Sequence, residues 1–190
     1  MNNILKILFL LSLTGCNLQM NPQGERPTYY FDLKGFIATQ VTYLNEANPT
    51  VSKRVVINKK VQRKEISQVN WQKELDLFNQ ADINKSSLKD MYEESERQIK
   101  GQRVVTYKAK RKSLYTQVLK VVFESSSNTI IRIEAKMNAQ NYLYCTYRHI
   151  TLYCTPSKEG KVRLKAYGFE GKQQMILAGR EDFEVYGKIL

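Results

Sequence analysis

The chain has 190 residues, 42% of them hydrophobic, which suffices for one proper core and leaves a second domain cramped. Its 30 Lys and Arg against 18 Asp and Glu give a formal charge of +12, favouring anionic partners: lipid head groups, acidic polysaccharide, phosphorylated glycolipid or nucleic acid. A single histidine excludes a metal site built on two imidazoles, and there is no G-x-S-x-G elbow, phosphate-cradling glycine loop or C-x-x-C pair.

The chain opens with an apolar segment, Ile4 to Leu13, in which Lys6 is the one charge. As a helix it would span about 15 Å, half of a hydrocarbon core of about 30 Å, so it cannot hold the protein by crossing a membrane. A basic start, a short apolar stretch and small residues at its end are the build of a secretory signal. Leu13-Thr14-Gly15-Cys16 resembles the lipobox of bacterial lipoproteins. That resemblance implies diacylglyceryl transfer to the Cys16 sulfur and cleavage before it, with residues 1–15 as the signal peptide. Two or three acyl chains hold a protein for practical purposes permanently, at about 0.8 kcal/mol per buried methylene. Residues 16–28, with Pro22, Gly24 and Pro27, read as the lipidated cysteine and a flexible tether, leaving residues 29–190 as one globular domain. No acidic residue follows Cys16 closely, which leans the expected location toward the periplasmic face of the outer membrane. An exported protein seldom meets nucleic acid, so that partner is set aside.

Two periods compete for "FDLKGFIATQVTYLNEANP": strand alternation would place Ile37, Thr39, Val41 and Tyr43 on one face, while the helical spacing, with Asp32 as N-cap, Phe31 and Phe36 as a hydrophobic staple and Asn45 to Pro49 as the stop, predicts a helix. "KRVVINKKVQRKEIS" then predicts a hairpin turning at Asn58-Lys59. It carries Lys53, Arg54, Lys59, Lys60, Arg63 and Lys64. Such cations either form a patch for phosphates or an anionic bilayer, at about 1 kcal/mol each, or keep a sheet edge soluble. "NWQKELDLFNQ" predicts a second helix capped by Asn70, with Trp71, Leu75 and Phe78 on one face as core.

From there the texture is strands and turns. "TIIRIEAKM" sets Ile131, Ile133, Ala135 and Met137 against Arg132, Glu134 and Lys136; "KVRLKA" sets Val162, Leu164 and Ala166 against Lys161, Arg163 and Lys165. Alternation of this kind marks antiparallel strands with one wet face. Breaks at Lys100-Gly101, Ser125–Asn128, Asn138-Ala139, Glu159-Gly160, Glu170-Gly171 and Gly179-Arg180 predict a meander of about eight or nine strands. The fold class is therefore α+β: two N-terminal helices and a hairpin, followed by a long antiparallel meander forming a strongly bent sheet or open half-barrel, with the helices in or beside its concavity.

In "NYLYCTYRHITLYC", Tyr142, Tyr144, Tyr147 and Tyr153 are either cross-strand partners or the lining of a groove for sugar or lipid. A turn at His149-Ile150 would set Cys145 opposite Cys154 as a disulfide in an oxidising compartment; a continuous strand would throw the two sulfurs to opposite faces. Catalysis finds little support. Cys145 and His149 would stand about 13 Å apart on one strand, and Glu93, Glu94 and Glu96 read as solvated. The sequence thus predicts no enzyme, no cofactor and no metal.

"YFDLKGFI", "NWQKELDLFNQADINKSSL" and "EDFEVYGKI" together resemble a group of envelope lipoproteins from the Bacteroidetes, most specifically at Trp71-Lys73-Glu74-Leu75, Phe78 and Asp82-Ile83-Asn84-Lys85. The resemblance implies a single domain of two early helices and antiparallel strands, and brings no activity. Two functions follow as expectations. One is a lipid-anchored binding or scaffolding module that holds another envelope protein, an anionic polymer or lipid. The other is a carrier or acceptor of a lipidic ligand inside an open half-barrel. Oligomeric state is not legible.

Overall fold

A computed structural model describes residues 28–157, 160–175 and 179–190; the signal peptide, Cys16 and nearly all of the tether lie outside them. In chain order the elements are α1 (Leu33–Ala47), β1 (Val51–Ile57), β2 (Lys60–Ile66), α2 (Trp71–Asn79), β3 (Tyr92–Ile99), β4 (Gln102–Ala109) and β5 (Thr116–Glu124). They continue with β6 (Ile130–Gln140), β7 (Tyr144–Pro156), β8 (Val162–Met175) and β9 (Gly179–Ile189). The nine strands form one antiparallel sheet, ordered β2-β1-β9-β8-β7-β6-β5-β4-β3 and not closed. Two helices with a mainly antiparallel sheet make the fold α+β, as its sequence predicts.

Both helices start where a side chain can satisfy a free backbone donor. The Asp32 carboxylate accepts from Gly35 N–H at 2.8 Å, and the Phe31 and Phe36 rings meet at 6.2 Å as the staple requires. The Asn70 side chain accepts from Lys73 N–H at 3.0 Å to open α2. Asn48, left-handed at φ 42°, stops α1 by donating its N–H to Leu44 C=O at 2.9 Å. Trp71, Leu75 and Phe78 of α2 and Leu33, Ile37 and Leu44 of α1 are all at most 2% exposed, buried against one face of the sheet.

The β1–β2 hairpin turns at Asn58-Lys59, both left-handed at φ 46° and 71°, the geometry of a two-residue turn in which glycine would cost less than Lys59. This hairpin joins the far side of the meander, with Val51 opposite Ile189 and Ile57 opposite Phe183. Among the described residues the meander has seven strands, β3 to β9, fewer than the eight or nine expected. Asn138-Ala139 and Glu170-Gly171 lie inside strands, and β6, β7 and β8 run 11, 13 and 14 residues. Glu170-Gly171 looks like a turn, yet Gly171 answers a different need: a Cβ there would lie 2.4 Å from the Tyr147 carbonyl oxygen.

His149-Ile150 is no turn either. Both residues sit mid-strand in β7, so Cys145 and Cys154 share one strand as free thiols, and the disulfide expectation is overturned. Nothing at those two positions offers the positive φ or the short polar side chain that a tight turn needs. A second correction comes from β8. Leu164 faces Cys154 and Ala166 faces Tyr153, leaving Lys165 as an extra residue in the ladder. This bulge shifts the alternation, so that Leu164 and Tyr167 point to the helices while Ala166 faces the other way with Tyr153.

Candidate functional site

Strand alternation places a second set of side chains on the face that no helix covers. The register builds two rows across it. Lys136, His149, Glu170, Glu184 and Val56 stand side by side on β6, β7, β8, β9 and β1; next to them run Asn138, Tyr147, Lys172 and Asp182. Together with Lys59 at the hairpin turn, these rows line a groove of about 600 Å³. His149 Nδ1 lies 3.2 Å from a Glu170 carboxylate oxygen. The row therefore sets two basic residues beside two carboxylates, and offers both donors and acceptors to whatever lies along it.

A smaller depression of about 190 Å³ continues the groove and shares His149, Glu170 and Glu184 with it. Its floor is open because Gly168 has no side chain there, and Tyr153 and Tyr186, with ring centroids 6.4 Å apart, edge it. Tyr147 is 53% exposed and belongs both to the groove and to a cleft on the far side of β7. The Cys145 thiol, two residues away on the same face, pushes the Tyr147 phenol above its ordinary value, by hydrogen bonding first and by charge second. Of the four tyrosines singled out in the sequence, Tyr147 and Tyr153 thus line this face, while Tyr142 and Tyr144 stand at the tip of the β6–β7 hairpin.

The six hairpin cations do not share one face. Alternation divides them: Lys53 turns to the helix side and ion-pairs with Glu74 at 2.6 Å, whereas Arg54 turns to the open face and ion-pairs with Glu184. Lys64 stands opposite Lys53 and Arg63 opposite Arg54, both exposed on edge strand β2, and Lys60 begins that edge. Lys59 alone of the six reaches the groove. A basic edge strand resists pairing with other chains, which accounts for β2 without a ligand. A denser basic run escaped the sequence reading: Lys108, Lys110, Arg111 and Lys112, at the end of β4 and in the loop after it, are all exposed. Their spacing is the signal that would have found them.

Behind the open face, Glu74 gathers the Tyr167 hydroxyl and the Lys53 ammonium, each at 2.6 Å. Burial, then the hydrogen bond to Glu74, raises the Tyr167 phenol far above its ordinary value. This cluster ties α2 to β1 and β8, a structural job. Asp82, just past α2, accepts from Lys34 N–H at 3.4 Å, and burial raises its carboxyl above the usual range. Among the described residues no group of three or more His, Cys, Asp or Glu could hold a metal ion, and no helix is long and apolar enough to cross a membrane. Cys145 is four residues from His149 on an unbroken strand, about 13 Å away. No family model, no curated protein and no solved structure matches this chain.

Proposed function

We propose that this is a lipid-anchored envelope lipoprotein, held through Cys16 at the periplasmic face of the outer membrane, that acts as a non-enzymatic binding or scaffolding module. Its sheet curls as an open half-barrel around the two helices, and its uncovered face binds another envelope protein or a polysaccharide. The observation that carries this reading is the contrast between the two sides of the sheet. The centre of the helix side is filled by the protein's own Trp71, Phe78 and Leu33, at 1%, 0% and 0% exposure, and the depression of about 460 Å³ at its tip is lined by polar groups of Gln80, Tyr115, Thr146 and Arg148, whereas the groove of about 600 Å³ lies on the other face. A carrier of a lipidic ligand needs the reverse, an empty apolar interior. An extended polymer carrying hydroxyl and charged groups suits rows of Lys, His and Glu of mixed charge edged by tyrosine rings.

Two measurements test it. Cells given a labelled fatty acid should label the chain, and Cys16→Ser should both abolish the label and move the protein from the membrane to the soluble fraction. An unlabelled wild-type chain, or a variant that fractionates unchanged, removes the anchor. An organic extract of the detergent-free chain beginning at residue 17, read by mass spectrometry, should hold no stoichiometric acyl species; finding one would move the assignment to the carrier.

A further inference from the structure

Met137, Arg148, Gly171, Phe183 and Ile57 stand in one row across five strands, and β5 begins opposite Met137. Beyond that row β6 to β9 continue as a four-stranded tongue, which runs on for roughly 10 Å past its neighbours. We infer that this tongue is a membrane-contacting surface: Tyr142, Leu143, Tyr144 and Met175 enter the interfacial zone of an anionic bilayer while flanking cations hold its phosphates.

The apolar groups at this end are too concentrated to be chance exposure. Among the described residues twelve large hydrophobic side chains are exposed; five lie on the tongue, Tyr142 at 88%, Leu143 at 62%, Tyr144, Tyr147 and Met175, and two, Ile99 and Leu190, at the opposite end of the sheet. Nor is the tip a loose loop that could fold its side chains away. The Asn141 side chain accepts from Leu143 N–H at 2.8 Å and Tyr144 N–H at 3.0 Å, which fixes the turn with its rings outward. Tyrosine suits the head-group level, where its ring is shielded and its hydroxyl stays wet.

Cations stand on both sides of the tongue. The β4–β5 loop supplies Lys110, Arg111 and Lys112, and the β1–β2 turn supplies Lys59 and Lys60. Arg111 and Lys112 make no ion pair among the described residues, so both are available for phosphates.

The position of the chain's beginning selects a bilayer over a protein partner. Tyr29 and Tyr30 N–H both donate to the Asn84 side chain, at 3.0 and 3.1 Å, and the Tyr30 hydroxyl accepts from Tyr92 N–H at 3.1 Å. Tyr92 begins β3 at the tongue end of the sheet. The twelve peptide steps from Cys16 to Thr28 reach at most about 40 Å. A leash joined at that end and up to about 40 Å long lets the tongue reach the surface that holds it. This inference therefore rests on the anchor reading, and the test separates the two.

The chain beginning at residue 17 lacks the signal and the lipid yet keeps every core residue, all of which lie from Tyr30 onward. Co-sedimented with vesicles of phosphatidylglycerol and phosphatidylethanolamine, it should bind, and raised salt should weaken the binding. Replacing Tyr142, Leu143 and Tyr144 together by Ser should lower the partition coefficient about tenfold or more, with an unchanged melting curve. Arg111→Glu with Lys112→Glu should erase the preference for these vesicles over phosphatidylcholine. In Leu143→Trp, emission should shift blue on adding vesicles; Trp71, the only native tryptophan, is fully buried and gives a constant background. No binding to anionic vesicles, or binding that the tip variants leave undiminished, overturns the inference even if Cys16 is labelled in cells. Capture of a purified envelope protein by the tip without vesicle binding would overturn it too and reassign the tip. Vesicle binding by a chain whose Cys16 stays unlabelled would overturn the anchor reading alone.

Discussion

The two faces of this sheet are built from alternate residues of the same strands, yet they obey different rules. Toward the helices stand Ile133, Ala135, Met137, Ile150 and Leu152, each 1% exposed. Away from them, on the same strands, stand Glu134, Lys136, His149 and Thr151, in rows of mixed charge. Because strand geometry sends neighbours to opposite sides, stability and recognition can be altered separately in one segment. The widest break of this symmetry comes from the covered side. Phe78→Ala or Trp71→Ala should lower the unfolding free energy by about 3–5 kcal/mol in urea titration.

Glycines sharpen the same comparison. At Gly187 an added Cβ would lie 2.3 Å from Cζ of the buried Tyr167 ring, so Gly187→Ala should cost about 1–3 kcal/mol. At Gly168, on the open face, the nearest atom would be the Val185 carbonyl oxygen at an ordinary 3.4 Å. Gly168→Ala should leave the melting temperature nearly unchanged and only fill the small depression beside Tyr186. Equal losses at the two glycines would show that the open face is as tightly built as the covered one.

Elements whose cause is local were legible in the sequence. Asp32 and Asn70 cap their helices, Trp71, Leu75 and Phe78 form a core stripe, and Asn58-Lys59 turns, because each depends on residues within one helical turn or hairpin. What failed depends on distant partners. Gly171 marks no turn because Tyr147 comes against it from β7, and Ala166 lost its expected face to a bulge that only the register with β7 specifies. The site was legible in part for the same reason: the tyrosines could be named as groove candidates, but the pairing of His149 with Glu170 joins residues 21 apart that only the β7–β8 register brings together.

Titration distinguishes the faces next. Burial, with the nearby Tyr30 as a lesser cause, pushes the Tyr92 phenol up from 10.0 to about 12, and its hydroxyl donates to Thr116 C=O at 2.8 Å. Burial also raises Tyr107. A raised folded-state value means that the stabilisation is complete below pH 10, where tyrosine keeps its proton in both states. It is lost as pH climbs toward 12, because the unfolded phenol ionises first. Stability should therefore fall by on the order of 2 kcal/mol across that window, and Tyr92→Phe should flatten the fall. The two thiols should part similarly. Burial pushes Cys154 up to about 12, whereas Cys145 is half-exposed on the open face. At pH 8 the native chain beginning at residue 17 should react with an aromatic disulfide reagent once, at Cys145, and a second time only in denaturant.

The smallest expected effect tests the binding role itself. Lys136, Glu170 and Lys172 are exposed and His149 is half-buried, and the contact of His149 with Glu170 leaves the Glu170 side chain 63% exposed. Surface pairs of this kind contribute about 0–1 kcal/mol. His149→Gln, Lys136→Ala and Lys172→Ala should each shift stability by no more than about 0.5 kcal/mol, yet each should weaken capture of the envelope partner, Lys136→Glu most of all. The covered face cannot be changed so cheaply, since every large residue there fills space that no other group can enter. If these variants bind like wild type while remaining folded, the groove is ordinary solvated surface and recognition belongs elsewhere on the molecule. Should they instead unfold the chain, the rows of charge serve the fold, and the division of labour between the faces is wrong.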